Sequence, residues 1–444
     1  MIDKKKDILH IIGAGPAGLA VAYYAKKNNL ESIIYESSEN VGGNCRTITH
    51  GDFKFDLGAH RFHDKISDIT EELISLIGDD FLQVNSPSKI FWENKMIQFP
   101  PTFQDLFQKL GKNHLKKIII EKIFNLPFPS KISSSFQDYV YQQYGKTLSN
   151  LFLINYSEKL WGHPANLLST EISGGRLNGL NLSSVIKKIL LPWSKVSSHL
   201  DGSFYYPRNG FGTIFDLIKD NIGPERIKFK SPVKKIFHDG HLITQVIYNN
   251  KKEDVETLIS TFPLSSLIKA LEPSPPIEIK ELVDNLKYRN LKLCAIFLDI
   301  PNFTDNASLY FPESIYPFTR IYEPKNRSKD LAPEGKTCIV AEIPFSDQDN
   351  ICFKPDDQIM NLVINFLEDL NLISKDNIID KMTLTIDFAY PVLDTGIEQR
   401  LSPVFNYLGK LKNLHLMGRS SEFKYTHTHD IFQNAKVFID RVAK

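Results

Sequence analysis

The chain has 444 residues, and 53 Lys plus Arg stand against 52 Asp plus Glu, for a formal net charge of +1. Apolar residues at 42% and charged residues at 24% give a globular composition, which excludes a disordered or fibrous chain. The near-neutral balance excludes a whole-protein field for nucleic acid, and roughly 100–200 residues per domain implies two or three domains.

No apolar run approaches the roughly 18 residues of a membrane-spanning helix, so none is expected. Met1 to Asp7 carry three lysines ahead of an apolar stretch from Ile8 to Ala25, the outline of a secretion signal. Gly13, Gly15, Pro16 and Gly18 interrupt that stretch, and a nucleotide turn explains them better. The chain is read as soluble and cytoplasmic. Cys45, Cys294, Cys338 and Cys352 form no CxxC pair and no metal-ligand spacing, so reduced thiols are expected.

In chain order, Ile8 to Ile12 reads as a buried strand, Ala17 to Lys27 as a helix and Ser32 to Tyr35 as a second strand. Together they make one βαβ unit of about thirty residues. Helical stretches follow over Phe103 to Leu110, His114 to Ile123, Phe136 to Tyr144 and Leu148 to Leu160. Residues 101–200 hold twelve Lys or Arg and five Asp or Glu. Those lysines fit a solvated helix face; they also fit attraction to an anionic substrate or an acidic membrane surface. Strands return at Arg226 to Phe237 and His241 to Tyr248, joined at His238-Asp239-Gly240, where Asp-Gly favours a hairpin. Glu256 to Thr261 and Leu291 to Asp299 are further strands, and a helix is expected near Asp357 to Leu370. Asn413 to Gly418 and Ile431 to Val442 read as a closing strand and helix.

Gly13-Ala14-Gly15-Pro16-Ala17-Gly18 is a GxGxxG sequence between the first strand and helix. The first glycine permits the tight turn, the second lets backbone approach a pyrophosphate at the helix N-terminus, and the third lets helix and strand pack closely. Glu36, at the end of the second strand, is placed to accept from ribose hydroxyls. A dinucleotide site follows. The Gly42-Gly43-Asn44-Cys45-Arg46 stretch lets the chain wrap back over a long ligand, although a plain turn would look the same. Cys45 has no partner cysteine near it and is read as packing. His60 and His63 lack the company of other ligand types, so no metal is expected; a place beside a flavin ring suits them better.

These residues carry a resemblance. The chain resembles the flavin-containing amine-oxidase and protoporphyrinogen-oxidase superfamily and, within it, the UDP-galactopyranose mutase family. The resemblance rests on Gly43-Asn44, Gly58-Ala59-His60 to His63, Tyr156-Ser157-Glu158-Lys159-Leu160-Trp161-Gly162, Tyr288-Arg289, Phe318-Thr319-Arg320-Ile321, Glu342, Ala389-Tyr390-Pro391 and Gly418-Arg419 through Tyr425. It departs from the mutase pattern at Thr426-His427-Thr428, and residues 100–200 are longer and richer in lysine.

The resemblance implies an α/β fold with a discontinuous Rossmann-like FAD-binding domain from residues 1–100, 201–265 and 401–444. A helical insertion at 101–200 and an antiparallel-sheet substrate domain at 266–400 complete it. It implies FAD, reduced for activity, held by Gly13, Gly15, Pro16, Ala17, Gly18, Glu36, Gly43, Asn44, His60, Val233, Gly418 and Arg419. It implies a nucleotide-sugar substrate bound by Tyr156, Trp161, Arg176, Arg289, Arg320, Glu342, Tyr390 and Tyr425. The catalytic set is His60, His63, Arg176, Arg320, Tyr390 and Tyr425, with NAD(P)H or another reductant as a partner. The activity implied is pyranose–furanose interconversion of a UDP-sugar or relative, in cell-surface polysaccharide biosynthesis; a flavin oxidase or desaturase is the alternative on the same scaffold. Arg176 and Arg320 suit a diphosphate because a guanidinium is a planar, permanently charged fork. Replacing Arg320 by alanine is expected to weaken that binding while leaving the melting temperature nearly unchanged.

Overall fold

The computed structural model describes residues 8–124, 133–173 and 203–443. Five short strands form a parallel sheet in the order Leu414–Leu416, Thr257–Ser260, Leu9–Ile12, Ser32–Tyr35, Ile227–Lys228. Leu9, Ile11, Ile34, Leu258 and Ile259 are fully buried, the continuous apolar signature of a sheet covered on both faces. The helix Pro16–Lys27 starts with proline at its first position and ends on Lys26 and Lys27. Ala17 through Ala25 are all buried, because the helix is wedged between Thr213–Ile222 and Thr428–Val442. The sheet's three pieces come from the start, middle and end of the chain, so the nucleotide-binding layer is discontinuous.

A four-stranded sheet, Lys251–Asp254, Ile243–Tyr248, Val233–His238, Leu271–Glu272, flanks this layer. A seven-stranded sheet runs Ile378–Pro391, Tyr288–Leu298, Thr337–Phe345, Arg320–Tyr322, Ser308–Tyr310, Ser88–Trp92, Lys95–Phe99. All its pairs are antiparallel except Ser308–Tyr310 with Ser88–Trp92. Two domain limits read from sequence shift here. The hairpin 88–99, expected in the first nucleotide-binding piece, is the edge of the large sheet. Its turn, Glu93-Asn94, has φ of 45° and 56°, a left-handed pair without the glycine that normally advertises it. Leu271–Glu272, expected in the substrate sheet, pairs instead with Val233–His238.

The helical layer follows the hairpin. Phe103–Lys109 is capped by Thr102, whose hydroxyl accepts from the Asp105 N–H, and Phe136–Tyr144 by Ser135 in the same way with Asp138. Lys112–Phe124 lies between them in sequence. The helix expected over 148–160 is interrupted by a π-helical turn at Ser149–Ile154 before continuing as Asn155–Trp161 and stopping at Gly162, φ 62°. Such turns re-aim side chains and recur at functional sites. Among the described residues no helix is long and apolar enough to cross a membrane.

Candidate functional site

A cavity of about 560 Å³ opens where the carboxyl end of the parallel sheet meets the large sheet and the helical layer. That end of an open α/β sheet is where ligands bind. The glycine turn forms one wall. A Cβ on Gly18 would stand 1.9 Å from the Gly13 carbonyl oxygen, so only glycine lets the helix leave the strand at this angle. A Cβ on Gly15 would meet nothing within 4 Å. Gly15 faces open space, along with Pro16 and Ala17 at the helix N-terminus. The Glu36 carboxylate accepts from the Ala14 N–H at 2.7 Å and the Ser38 N–H at 2.8 Å, which fixes it beside the turn.

Gly43, Asn44 and Cys45 form the facing lip, and Gly418, Arg419 and Ser420 a third side. Arg46, next in that lip, has a buried Nε donor with no partner among the described residues. Buried donors are normally satisfied. Open space before a glycine and a helix N-terminus with no acid in its first turn fit the pyrophosphate of a dinucleotide, with the unpartnered Arg46 Nε close by in sequence.

His60 lines this region, but its nitrogens are engaged by the lip. Nε2 lies 3.0 Å from the Asn44 carbonyl and so carries the proton; Nδ1 is 4.0 Å from Cys45 Sγ, and the ring stacks on Phe211 at 5.1 Å. Burial pulls its pKa down to about 4, leaving a neutral imidazole. Burial also pushes the Cys45 thiol up to about 12. His60 therefore stands as a neutral imidazole that lines the cavity and braces the Asn44 loop. His63 lines the cavity near Phe204.

The opposite wall is made by register. Tyr310 pairs with Arg320, and Arg320 with Glu342, across three adjacent strands. Arg320 donates to Glu342 through Nε and Nη2, both at 2.8 Å, and Glu342 also accepts from the Ala59 N–H at 2.9 Å. Glu342 is 2% exposed and does not line the cavity. Its expected substrate contact is corrected to that of a counter-ion which aims Arg320 and ties the sheet to the flavin-side loop. Burial alone would lower the arginine's pKa, and the Glu342 charge overrides it, so Arg320 stays charged. Among the described residues Nη1 has no hydrogen bond, and Arg320 lines the cavity. Because Arg320→Ala would strand Glu342, it is expected to lower stability as well as binding, unlike the expectation from sequence.

Aromatic rings frame this arginine. Tyr156 meets Tyr310 edge-on at 5.6 Å, and Trp161 meets Tyr390 at 5.7 Å and Tyr425 at 5.3 Å. Burial raises the pKa of Tyr156, and pushes Tyr390 up to about 12, so both hydroxyls keep their protons. Arg419 holds the C-terminal loop by donating to the Thr426 carbonyl at 2.8 Å, with its guanidinium 4.9 Å above the Tyr425 ring. The cavity wall carries Arg61, Lys65, Arg320 and Arg419 and, among the described residues, no carboxylate. The helical side is apolar, with Leu106, Phe136, Leu148 and Phe152 facing in.

Gly13, Gly18 and Glu36 belong to the turn without lining the cavity, and Arg289 and Val233 stand elsewhere. Arg289 is 3% exposed; it donates to Asp349 and Ser346 at 2.7 Å, to Pro344 at 2.9 Å and to the carbonyls of Leu160 and Lys159. It clamps the C-terminal end of Asn155–Trp161 to the sheet, a favourable place for a cation. Val233, paired across the strands with Tyr248, is buried at the start of its strand and does not line the cavity. Arg176 lies outside the described residues. Tyr310 and Arg61 were not found from sequence. Tyr310 sits in no motif, and only its pairing opposite Arg320 reveals it. Among the described residues no three His, Cys, Asp or Glu side chains gather as a metal site.

Known proteins share this fold. The family model for flavin-containing amine oxidoreductases matches residues 16–420. Coproporphyrinogen III oxidase of Bacillus subtilis is 21% identical, over 90% of each chain. UDP-galactopyranose mutase of Mycoplasma genitalium is 24% identical over 47% of this chain and 50% of its own. The crystal structure of a reduced UDP-galactopyranose mutase superposes with a TM-score of 0.85, at 21% identity, over 98% of this chain and 95% of that one. The chain belongs to the flavin-containing amine oxidoreductase family, and its cofactor is FAD.

Proposed function

We propose that the protein is a flavin-dependent mutase that interconverts ring forms of a nucleotide sugar. The observation that carries this reading is the cavity wall opposite the glycine turn: a half-buried, permanently charged arginine with a spare nitrogen, beside the protonated Tyr156 and Tyr390, with no carboxylate lining the cavity among the described residues. Such a wall suits a diphosphate, which takes charge-assisted bonds from Arg320 and neutral ones from tyrosine hydroxyls. Reduced FAD, when bound, supplies the nucleophile that a displacement at an anomeric carbon requires. The chain's own residues hold the diphosphate, orient the sugar and exclude water behind Trp161 and Tyr156.

The test is binding and turnover in dithionite-reduced protein across a panel of nucleotide sugars. Ring interconversion without oxygen uptake supports the mutase. Arg320→Lys keeps the charge facing Glu342 and loses the fork, so nucleotide affinity should fall by about 10-fold or more, since a charge-assisted bond is worth about 1.5–3 kcal/mol. Unchanged affinity would remove Arg320 from the site.

One observation favours a second reading, an oxidase or desaturase. Leu106, Phe136, Leu148 and Phe152 make the helical side of the cavity apolar, and the Bacillus relative bears an oxidase name. Oxygen consumption in step with substrate loss, with NAD(P)H absent, would decide for it.

A further inference from the structure

The helical layer presents lysines and isoleucines to solvent side by side. On Lys112–Phe124, Lys112, Lys116, Ile119 and Ile120 are spaced by four, three and one residues, which places them on one side of the helix. All four are exposed; Ile119 is 47% and Ile120 52% accessible. Lys117 is exposed beside them, and Phe107, on the preceding helix, is 63% accessible. Leu115 on the other side is buried in the main core. The helix therefore has apolar residues on both sides, and only one side is accounted for by packing.

The acids nearby do not cancel the lysines. Glu121, the helix's one carboxylate, turns inward and accepts from the Thr147 N–H at 2.9 Å and the Thr147 hydroxyl at 2.6 Å. Asp105 is engaged by the Gln98 N–H and by Lys109 at 2.7 Å. What remains is a cationic collar around exposed isoleucines, in a region with a local excess of seven positive charges on a chain of net charge +1.

We propose that this face docks the protein on an anionic lipid surface, with Lys112, Lys116 and Lys117 at the headgroup phosphates and Ile119 and Ile120 entering the interface. The charge complementarity selects the occupant: a second copy of a nearly neutral chain would not repay three clustered lysines, whereas an anionic leaflet attracts each of them. Apolar side chains beside basic ones on a surface helix are the pattern of interfacial binding. The proposal is independent of the reaction catalysed.

The experiment is co-sedimentation of the FAD-loaded full chain with phosphatidylcholine vesicles, with and without a one-third share of phosphatidylglycerol. The protein should pellet with the anionic vesicles only, and high salt should release it. Lys112→Glu/Lys116→Glu/Lys117→Glu should lower the partition coefficient by on the order of a hundredfold, about fivefold per lysine. Ile119→Asp/Ile120→Asp should lower it by at least about tenfold. Flavin content and melting temperature should match the parent in both variants. Equal partitioning onto neutral and anionic vesicles, no partitioning, or undiminished binding by the variants would overturn the proposal. So would a dimer in sedimentation that Ile119→Asp/Ile120→Asp dissociates, since the face would then belong to a second copy.

Discussion

The two walls of the cavity are built by different means. The glycine-turn wall is backbone: Gly15, Pro16 and the Gly43-Asn44 lip offer space, peptide groups and a helix end. The sheet wall is side chain: Tyr310, Arg320 and the supporting Glu342 meet because three strands hold them in register. A backbone wall leaves a bound ligand almost no room for added atoms, but it is specified by a few adjacent residues. A side-chain wall is assembled from residues 32 positions apart in the chain, and each member depends on its neighbours' charge. Substitution should therefore fail in different ways on the two sides.

The largest effect is expected within the turn itself, and it separates folding from cofactor binding. Gly18→Val puts a side chain into the Gly13 carbonyl, 1.9 Å from its first carbon, and should cost more than about 4 kcal/mol, enough to prevent soluble expression. Gly15→Val, three residues earlier in the same motif, adds a Cβ that meets no protein atom within 4 Å. It should fold and purify colourless, and its flavin absorbance and melting curve should match those of the stripped parent. A yellow Gly15→Val protein would break the view of this wall as a pyrophosphate cradle.

On the sheet wall the next effect is charge. Glu342→Gln leaves Arg320, 13% exposed, without its counter-ion, and removing one partner of a largely buried pair costs about 3–5 kcal/mol. The double variant Arg320→Met/Glu342→Leu should regain most of that stability in a denaturant titration while binding no nucleotide. If Glu342→Gln melts like the parent, the pair is not what holds the sheet to the flavin-side loop at Ala59.

His60 gives a pH-dependent effect at the seam between the walls. Its pKa falls from 6.5 in the unfolded chain to about 4 in the folded one. Between those values the unfolded chain binds the extra proton, so stability is full above pH 6.5 and declines as pH falls toward 4. His60→Gln should flatten that part of the melting-temperature profile. A profile of unchanged slope would show that the imidazole is not buried neutral against Asn44.

The contrast between walls also explains what the sequence revealed. The turn was legible because the spacing of Gly13, Gly15 and Gly18 is dictated by geometry inside one βαβ unit, and the strand, helix and strand fell within a residue or two of expectation. Arg320, Tyr390 and Tyr425 were found through resemblance, and the cavity collects them. Arg289 and Glu342 lay in the same motifs, yet nothing local distinguishes a residue that faces the cavity from one that supports it. Tyr310 was invisible because its partner is set by strand pairing. The hairpin 88–99 went to the wrong layer because Glu93-Asn94 makes its left-handed turn without glycine. The π-helical turn at Ser149–Ile154 hid in a run that reads as plain helix, since periodicity does not register one extra residue in a turn.

The smallest expected effect tests whether the aromatic frame binds through its hydroxyls or only through its rings. Tyr156 lines the cavity and meets Tyr310 edge-on, a contact made by the ring and preserved in Tyr156→Phe. Its raised pKa keeps the hydroxyl protonated, and so a donor, at neutral pH. If that donor reaches a phosphate or sugar oxygen, Tyr156→Phe should weaken substrate by about 0.5–1.5 kcal/mol, roughly 2- to 12-fold, at constant melting temperature. Tyr156→Ala should lose more, because the ring's packing goes with it. Equal affinities for the parent and Tyr156→Phe, with a loss only in Tyr156→Ala, would make Tyr156 a shaping residue. The polar recognition on this wall would then fall to Arg320 and to the two tyrosines against Trp161. A larger loss in Tyr156→Phe than in Arg320→Lys would reverse the order of importance proposed for the sheet wall, with the neutral donor outweighing the charged one.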